Sequence, residues 1–247
     1  MVAVINSPRP LGRTLGHEIR AAGAMVYDSL FPPKRTRSPR SNGQFGLILP
    51  GFTAPWMVYR NLQWFMEELG WYSMVGNFGW LNISSLRRQK HLLDANLRKF
   101  IATVGRPPDV VLGHSLGGIE GVWLLTEYPS IQKVIAIGSP FNEGTPWRIA
   151  ELGASLFIAP HAVHARVLRE IVDRGKVMAE KKIVTISSVN DRLVPPSHAA
   201  FPGARNIIIR PTDYRHFPNC RRRAHCDTHT GLPNFPLVRA ILRRELH

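Results

Sequence analysis

Apolar positions follow two different periods along this chain. Between residues 11 and 30 they recur in steps of three and four, which predicts an amphipathic helix resting on the main body through Leu11, Leu15, Ile19, Ala22, Val26 and Leu30. After residue 44, short apolar runs alternate with stretches of helical period, and this alternation predicts a parallel sheet covered by helices. The predicted strands are 46–50, 71–76, 109–113, 132–137, 182–187 and 206–210, and the predicted helices are 57–69, 84–103, 116–128, 163–178 and 235–246.

Two segments interrupt this alternation. Residues 32–43 combine Pro and Ser with four cations, which is typical of an exposed linker. Residues 1–43 are therefore interpreted as an N-terminal helix and basic linker, and residues 44–247 as the main domain. The second interruption, at 141–180, is punctuated by Gly and Pro before its helical stretch. Such an insertion between strands often forms a lid over a site.

Composition narrows the class of protein. The 247 residues are 44% hydrophobic and 20% charged, which is enough for a full core and excludes a mainly disordered or fibrous chain. One α/β domain with about six main strands fits this length. The N-terminus lacks a basic segment followed by an apolar run, so we expect a cytoplasmic protein, with an organelle transit peptide as the alternative. The longest uncharged stretches contain Gly, Pro, Asn and Ser, which does not favour a membrane span.

The chain is strongly basic, with 32 Lys and Arg against 17 Asp and Glu and a formal net charge of +15. The excess is concentrated at residues 1–43 and 205–247. Three interpretations stay open: a solvated basic surface, attraction to anionic lipid headgroups, and attraction to nucleic acid. Aromatic residues for base stacking are sparse in both segments, which disfavours nucleic acid. The basic charge adds one alternative to the expected cytoplasmic location, which is peripheral contact with an anionic membrane.

One motif carries a specific chemistry. Residues 113–117 read Gly-His-Ser-Leu-Gly, directly after an apolar strand pattern and directly before a helical one. This is the strand–turn–helix context in which G-x-S-x-G exposes a nucleophilic serine. The turn is so tight that only glycine fits at its flanks, and the helix N-terminus favours developing negative charge. Ser115 is therefore the candidate nucleophile, and an inert turn serine is the alternative.

A serine hydroxyl needs a base and an orienting acid, which for this elbow follow in the order Ser, Asp, His. Asp191 lies just beyond strand 182–187, and His229 precedes the final helix. Both are expected at the same sheet edge as Ser115. His216 and His225 are competing candidates for the base, whereas His114 is interpreted as a packed elbow residue.

The loop 216–229 also contains Cys220 and Cys226. Two cysteines are too few for a disulfide framework, so the open alternatives are two free thiols or one bridge that closes the loop. The His and Cys side chains of this loop are potential zinc ligands. Their spacing does not match a standard zinc finger, and a catalytic His229 could not also be a tightly held ligand.

Together these features resemble the α/β-hydrolase superfamily, specifically its small bacterial lipase and esterase-like members. The resemblance covers about residues 44–246. It rests on four motifs: the elbow 113–117, the acid loop of Asp191 with Val194-Pro195, the His229-Thr-Gly-Leu run and the oxyanion loop 47–52. In the oxyanion loop, Pro50-Gly51 replaces the His-Gly of many relatives. It implies an oxyanion hole formed by the backbone N–H groups of Phe52 and Leu116, and no metal or organic cofactor.

The expected activity is hydrolysis of a carboxylic ester with a hydrophobic acyl group. The apolar run 156–160 within the predicted lid favours a lipid-like substrate. A thioesterase or an acyltransferase would use the same three residues, because the acyl-enzyme can be released by different nucleophiles. A basic binding protein on a hydrolase scaffold is the alternative from another class, because fold alone does not fix function.

Overall fold

Short apolar runs form one parallel sheet in a computed structural model of the protein, which describes residues 11–30, 42–79, 86–142, 161–216 and 228–247. Its strands follow one another in the order β2-β1-β3-β4-β5-β6, and every neighbouring pair is parallel. The strands are β1 (Phe45–Leu49), β2 (Tyr72–Val75), β3 (Val110–His114), β4 (Lys133–Ile137), β5 (Ile183–Ser188) and β6 (Arg205–Ile209).

Helices cover both faces of this sheet. They are α1 (Leu11–Leu30), α2 (Arg60–Glu68), α3 (Leu86–Val104), α4 (Leu116–Glu127), α5 (His161–Lys176), α6 (Ala179–Lys182), α7 (Pro196–Ala199) and α8 (Pro236–Glu245). Three 3₁₀ turns, Trp56–Tyr59, Pro211–His216 and Leu232–Asn234, complete the described elements. No helix in these described ranges is long and apolar enough to cross a lipid bilayer.

The four central strands, β1, β3, β4 and β5, are buried on both faces, because successive side chains point to opposite faces and helices cover each of them. In β3, Val110 and Leu112 join the core cluster that includes α2 and α8, whereas Val111 joins the cluster that includes α3, α4 and α5. This two-sided burial explains why the strands read as continuous apolar runs. The predicted α/β class and mainly parallel sheet of about six strands are confirmed.

The range predicted as a lid divides into two parts. Residues 143–160 lie outside the described residues. From residue 161 onwards the chain forms α5, whose Ile171 and Val172 are buried in the core against α4. At Gly175 a Cβ atom would lie 2.8 Å from the ring of Phe201, so α5 packs closely. This second part therefore packs on the core through these residues, and the lid interpretation of residues 141–180 stays a prediction.

Helix α1 has the predicted bounds but turns a different face to the body. Ile19 and Val26, which were predicted to face the core, are 62% and 43% exposed, whereas Ala21 and Met25 are buried. Glu18 is buried on the same face as these two residues. The predicted face was wrong because the Glu18 carboxylate accepts hydrogen bonds from the backbone of His229 and Thr230, which places this polar side chain in the interior.

Candidate active site

The turn after β3 holds Ser115 in a strained backbone conformation. Its φ of 52° is left-handed, which is uncommon for a residue other than glycine. A Cβ at Gly113 would collide with the backbone of Gly117, and a Cβ at Gly117 would collide with the backbone of Leu49. The glycines on both sides of Ser115 are therefore required by close backbone approach, and they allow the serine to stand at the N-terminus of α4.

The loop after β1 passes directly beside this serine. A Cβ added to Gly51 would lie 3.1 Å from the Cβ of Ser115. Thr53 in the same loop has a φ of 57°, a second strained position, and the Ala54 N–H donates to the Gly51 carbonyl at 3.2 Å. The amides of Phe52 and Leu116 donate no hydrogen bond to another described residue.

Asp191 is completely enclosed in the loop after β5. It is 1% exposed, and its Oδ1 accepts hydrogen bonds from the backbone N–H groups of Leu193 at 3.0 Å and Val194 at 2.8 Å. Its Oδ2 lies 2.8 Å from His229 Nδ1. These contacts satisfy both carboxylate oxygens and fix the direction in which the acid faces the imidazole.

His229 lies in the turn just before the 3₁₀ turn Leu232–Asn234, and its side chain is 11% exposed. Burial alone would lower the pKa of His229, but the charge and hydrogen bond of Asp191, together with the charge of Glu18, raise this pKa above its usual value. The structure brings Asp191 and His229 together. It shows no hydrogen bond between Ser115 Oγ and His229, although such contacts commonly tighten only when substrate binds.

A buried chain of hydrogen bonds joins the Gly51 loop to the His229 turn. The Gly51 N–H donates to Tyr59 Oη at 2.9 Å, Tyr59 Oη lies 2.7 Å from His114 Nδ1, and His114 Nε2 lies 3.0 Å from the His229 carbonyl. Burial, with the nearby His229, lowers the pKa of His114 well below its usual value. The ring is therefore neutral, with Nδ1 accepting from Tyr59 and Nε2 donating to His229.

This chain predicts the effect of Tyr59→Phe. The substitution keeps the buried ring but removes the hydroxyl that bonds the Gly51 amide and His114 Nδ1, so the loop beside Ser115 is held less firmly. We expect kcat on an ester substrate to fall by about tenfold, with unfolding free energy lower by about 1–3 kcal/mol. Steady-state kinetics and urea unfolding measure the two effects.

The matched control is Tyr72→Phe, which removes the same hydroxyl group from a different site. Tyr72 is 39% exposed and lies on the edge strand β2. It is expected to leave kcat unchanged. A Tyr59→Phe enzyme with native kcat would show that the loop needs no such anchor.

Two contact residues were missed at the level of sequence. Tyr59 was assigned to core packing or the rim of an acyl pocket, and Glu18 was left in a helix ahead of the domain. Tyr59 contacts His114 and Glu18 contacts the His229 turn, both of which are distant in the chain, and no local motif marks either residue. The competing His225 and the two cysteines lie outside the described residues, as does the side chain of His216. Within the described ranges, no three His, Cys, Asp or Glu side chains cluster as metal ligands would.

Comparisons with known proteins identify structures of similar fold. No family model matches the sequence, and no curated protein matches it significantly. Among solved structures, the chain is similar to Rv0554 from Mycobacterium tuberculosis, with 14% identity, a TM-score of 0.57, and coverage of 83% of this chain and 90% of that one.

Two further structures show the same likeness. For Est1E from Butyrivibrio proteoclasticus the identity is 15%, the TM-score 0.54 and the coverage 86% and 89%. For the monoacylglycerol lipase of Paleococcus ferrophilus these values are 14%, 0.51, and 84% and 93%. With its six parallel strands and strained serine turn, the protein has the α/β-hydrolase fold.

Proposed function

We propose that the protein is a serine hydrolase that cleaves carboxylic esters with a hydrophobic acyl group. The observation that carries this proposal is the buried Asp191–His229 pair, with its 2.8 Å hydrogen bond, at the sheet edge where the strained turn presents Ser115. Solved structures of the same fold include a monoacylglycerol lipase and an esterase domain, which supports an ester as the substrate.

In the proposed reaction, Asp191 holds the proton on His229 Nδ1, so that Nε2 is free to act as a base. His229 takes the proton of Ser115 Oγ while this oxygen attacks the ester carbonyl. The tetrahedral intermediate then expels the alcohol, which receives the proton from His229. Water, deprotonated by His229, attacks the acyl-enzyme and releases the acid, which restores Ser115.

The amides of Phe52 and Leu116 supply the oxyanion hole in this proposal. Both lie on the segments that meet at Ser115, and neither is engaged by another described residue. Preorganised donors of this kind stabilise the negative oxygen of the tetrahedral intermediate, and each typically contributes about 2.7–4 kcal/mol to the transition state. The buried hydrogen bond from Gly51 to Tyr59 holds the first of these segments in place.

A series of p-nitrophenyl esters from acetate to palmitate tests the proposal. We expect turnover that rises with acyl length to an optimum, because a hydrophobic pocket gains affinity with each buried methylene. Matched thioesters, and product analysis with added alcohols, distinguish a thioesterase or acyltransferase from a hydrolase. Absence of turnover on every ester and thioester would contradict the proposal and favour the non-catalytic binding protein.

A further inference from the structure

Helix α1 contacts the turn that carries His229, although α1 lies outside the region that resembles the hydrolases. The Glu18 carboxylate accepts two hydrogen bonds there, from the His229 N–H to Oε1 at 3.1 Å and from the Thr230 N–H to Oε2 at 2.9 Å. These partners are more than 200 residues away in the sequence. A side chain at the start of the chain thus holds the backbone of the candidate base.

The packing of α1 fixes the position of this carboxylate. Glu18 is only 8% exposed, and Ala21 and Met25, three and seven positions later on the same helix face, are 1% and 4% exposed. A buried carboxylate is costly unless its oxygens are hydrogen-bonded, and the two backbone N–H donors meet that requirement. The helix is therefore anchored by apolar contacts while the buried Glu18 carboxylate faces the histidine turn.

We propose that Glu18 is a positioning residue for His229, which it serves by fixing the backbone of the histidine turn and by placing a second negative charge near the imidazole. The first effect sets where Nε2 points, and the second favours the imidazolium that forms during proton transfer. The consequence for catalysis rests on the proposed function. The effect on the pKa of the His229 imidazole does not depend on that function.

Within the described ranges, three ionisable groups face His229. Asp191 contacts its ring from the loop after β5, and His114 packs against the ring from the end of β3 at a tilt of 38°, with 4.9 Å between ring centroids. Glu18 contacts its backbone N–H from α1. Because His114 is neutral, the charges that favour a protonated His229 are those of the two acids. Against the opposing effect of burial, these acids raise the pKa of His229.

The test is a titration of the His229 ring by NMR in the full chain, with its signal assigned by its loss in His229→Gln. In Glu18→Gln, a near-isosteric change without charge, we expect the pKa of His229 to fall by about 0.5–1 pH unit. If the chain is an esterase, kcat should fall by about tenfold with KM little changed, and the acidic limb of kcat/KM should move to lower pH.

The control is Ile19→Lys, because Ile19 is 62% exposed on the same helix and the substitution changes the net charge by the same amount. Its solvated charge is screened, so the pKa of His229 should stay within about 0.2 pH unit of native. Glu18→Ala, which removes the carboxylate altogether, is a second variant, and the same fall in the pKa of His229 is expected. An unchanged pKa, an equal fall in the control, or loss of the fold in both Glu18 variants would overturn the proposal. The titration needs no substrate, so failure of the esterase proposal would be seen separately as absence of turnover in the native chain.

Discussion

Replacing Ser115 by alanine is expected to reduce kcat on the best p-nitrophenyl ester by about 10⁶-fold, which is the scale for loss of a triad nucleophile. Without Oγ no acyl-enzyme forms, and only the oxyanion donors and substrate binding remain, which commonly leave about 10³–10⁴-fold acceleration over water. The backbone turn should survive, because the contacts that enforce it come from Gly113 and Gly117. Steady-state rates and thermal unfolding of the variant measure both statements.

The matched control for this variant is Ser197→Ala, which removes an exposed hydroxyl from α7 and should leave kcat unchanged. A fluorophosphonate provides an independent measurement, because Oγ attacks phosphorus, fluoride leaves, and the protein gains the mass of one phosphonyl group. Labelling is expected in the native chain and in Ser197→Ala but not in Ser115→Ala. Residual turnover near the native rate in Ser115→Ala would assign the chemistry to another nucleophile.

The fold was predictable because the sheet is buried on both sides. Two-sided burial turns each of the four central strands into an apolar run, and the helices between the strands keep a period of 3.6. The predicted strand 109–113 differs by only one residue at each end from Val110–His114. Helix α1 shows where this argument fails, since Glu18 lies inside while Ile19 is exposed. The period of apolar residues does not reveal a buried carboxylate whose hydrogen-bond partners are two backbone amides.

The candidate site was predictable to the extent that its residues have local signals. Ser115 lies between glycines that the backbone requires, and Asp191 and His229 follow chain segments that end at one edge of the sheet. Tyr59 has no such signal, because its hydroxyl acquires a role only when β1, β3 and the His229 turn meet in space. Local sequence therefore indicates the groups that would react, and tertiary contacts determine which groups hold them.

Asp191→Asn is expected to lower kcat by about 10⁴-fold while preserving the fold. The amide can keep its oxygen towards the Leu193 and Val194 amides, which turns its NH₂ group towards His229 Nδ1. This donor forces Nδ1 to accept and leaves the imidazole proton on Nε2, so the ring can no longer take the proton of Ser115. The loss should therefore appear in kcat, with KM little changed.

The control for this variant is Asp173→Asn, because Asp173 is two-thirds exposed on α5 and pairs only with Lys176 among the contacts described for it. Native kcat is expected there, since a surface ion pair contributes little. The downfield NMR signal of the His229 Nδ1 proton distinguishes the tautomer mechanism from simple misfolding. It should be present in the native chain and in Asp173→Asn and absent from a folded Asp191→Asn. A variant that keeps this signal and its activity would show that the acid is not needed to orient the base.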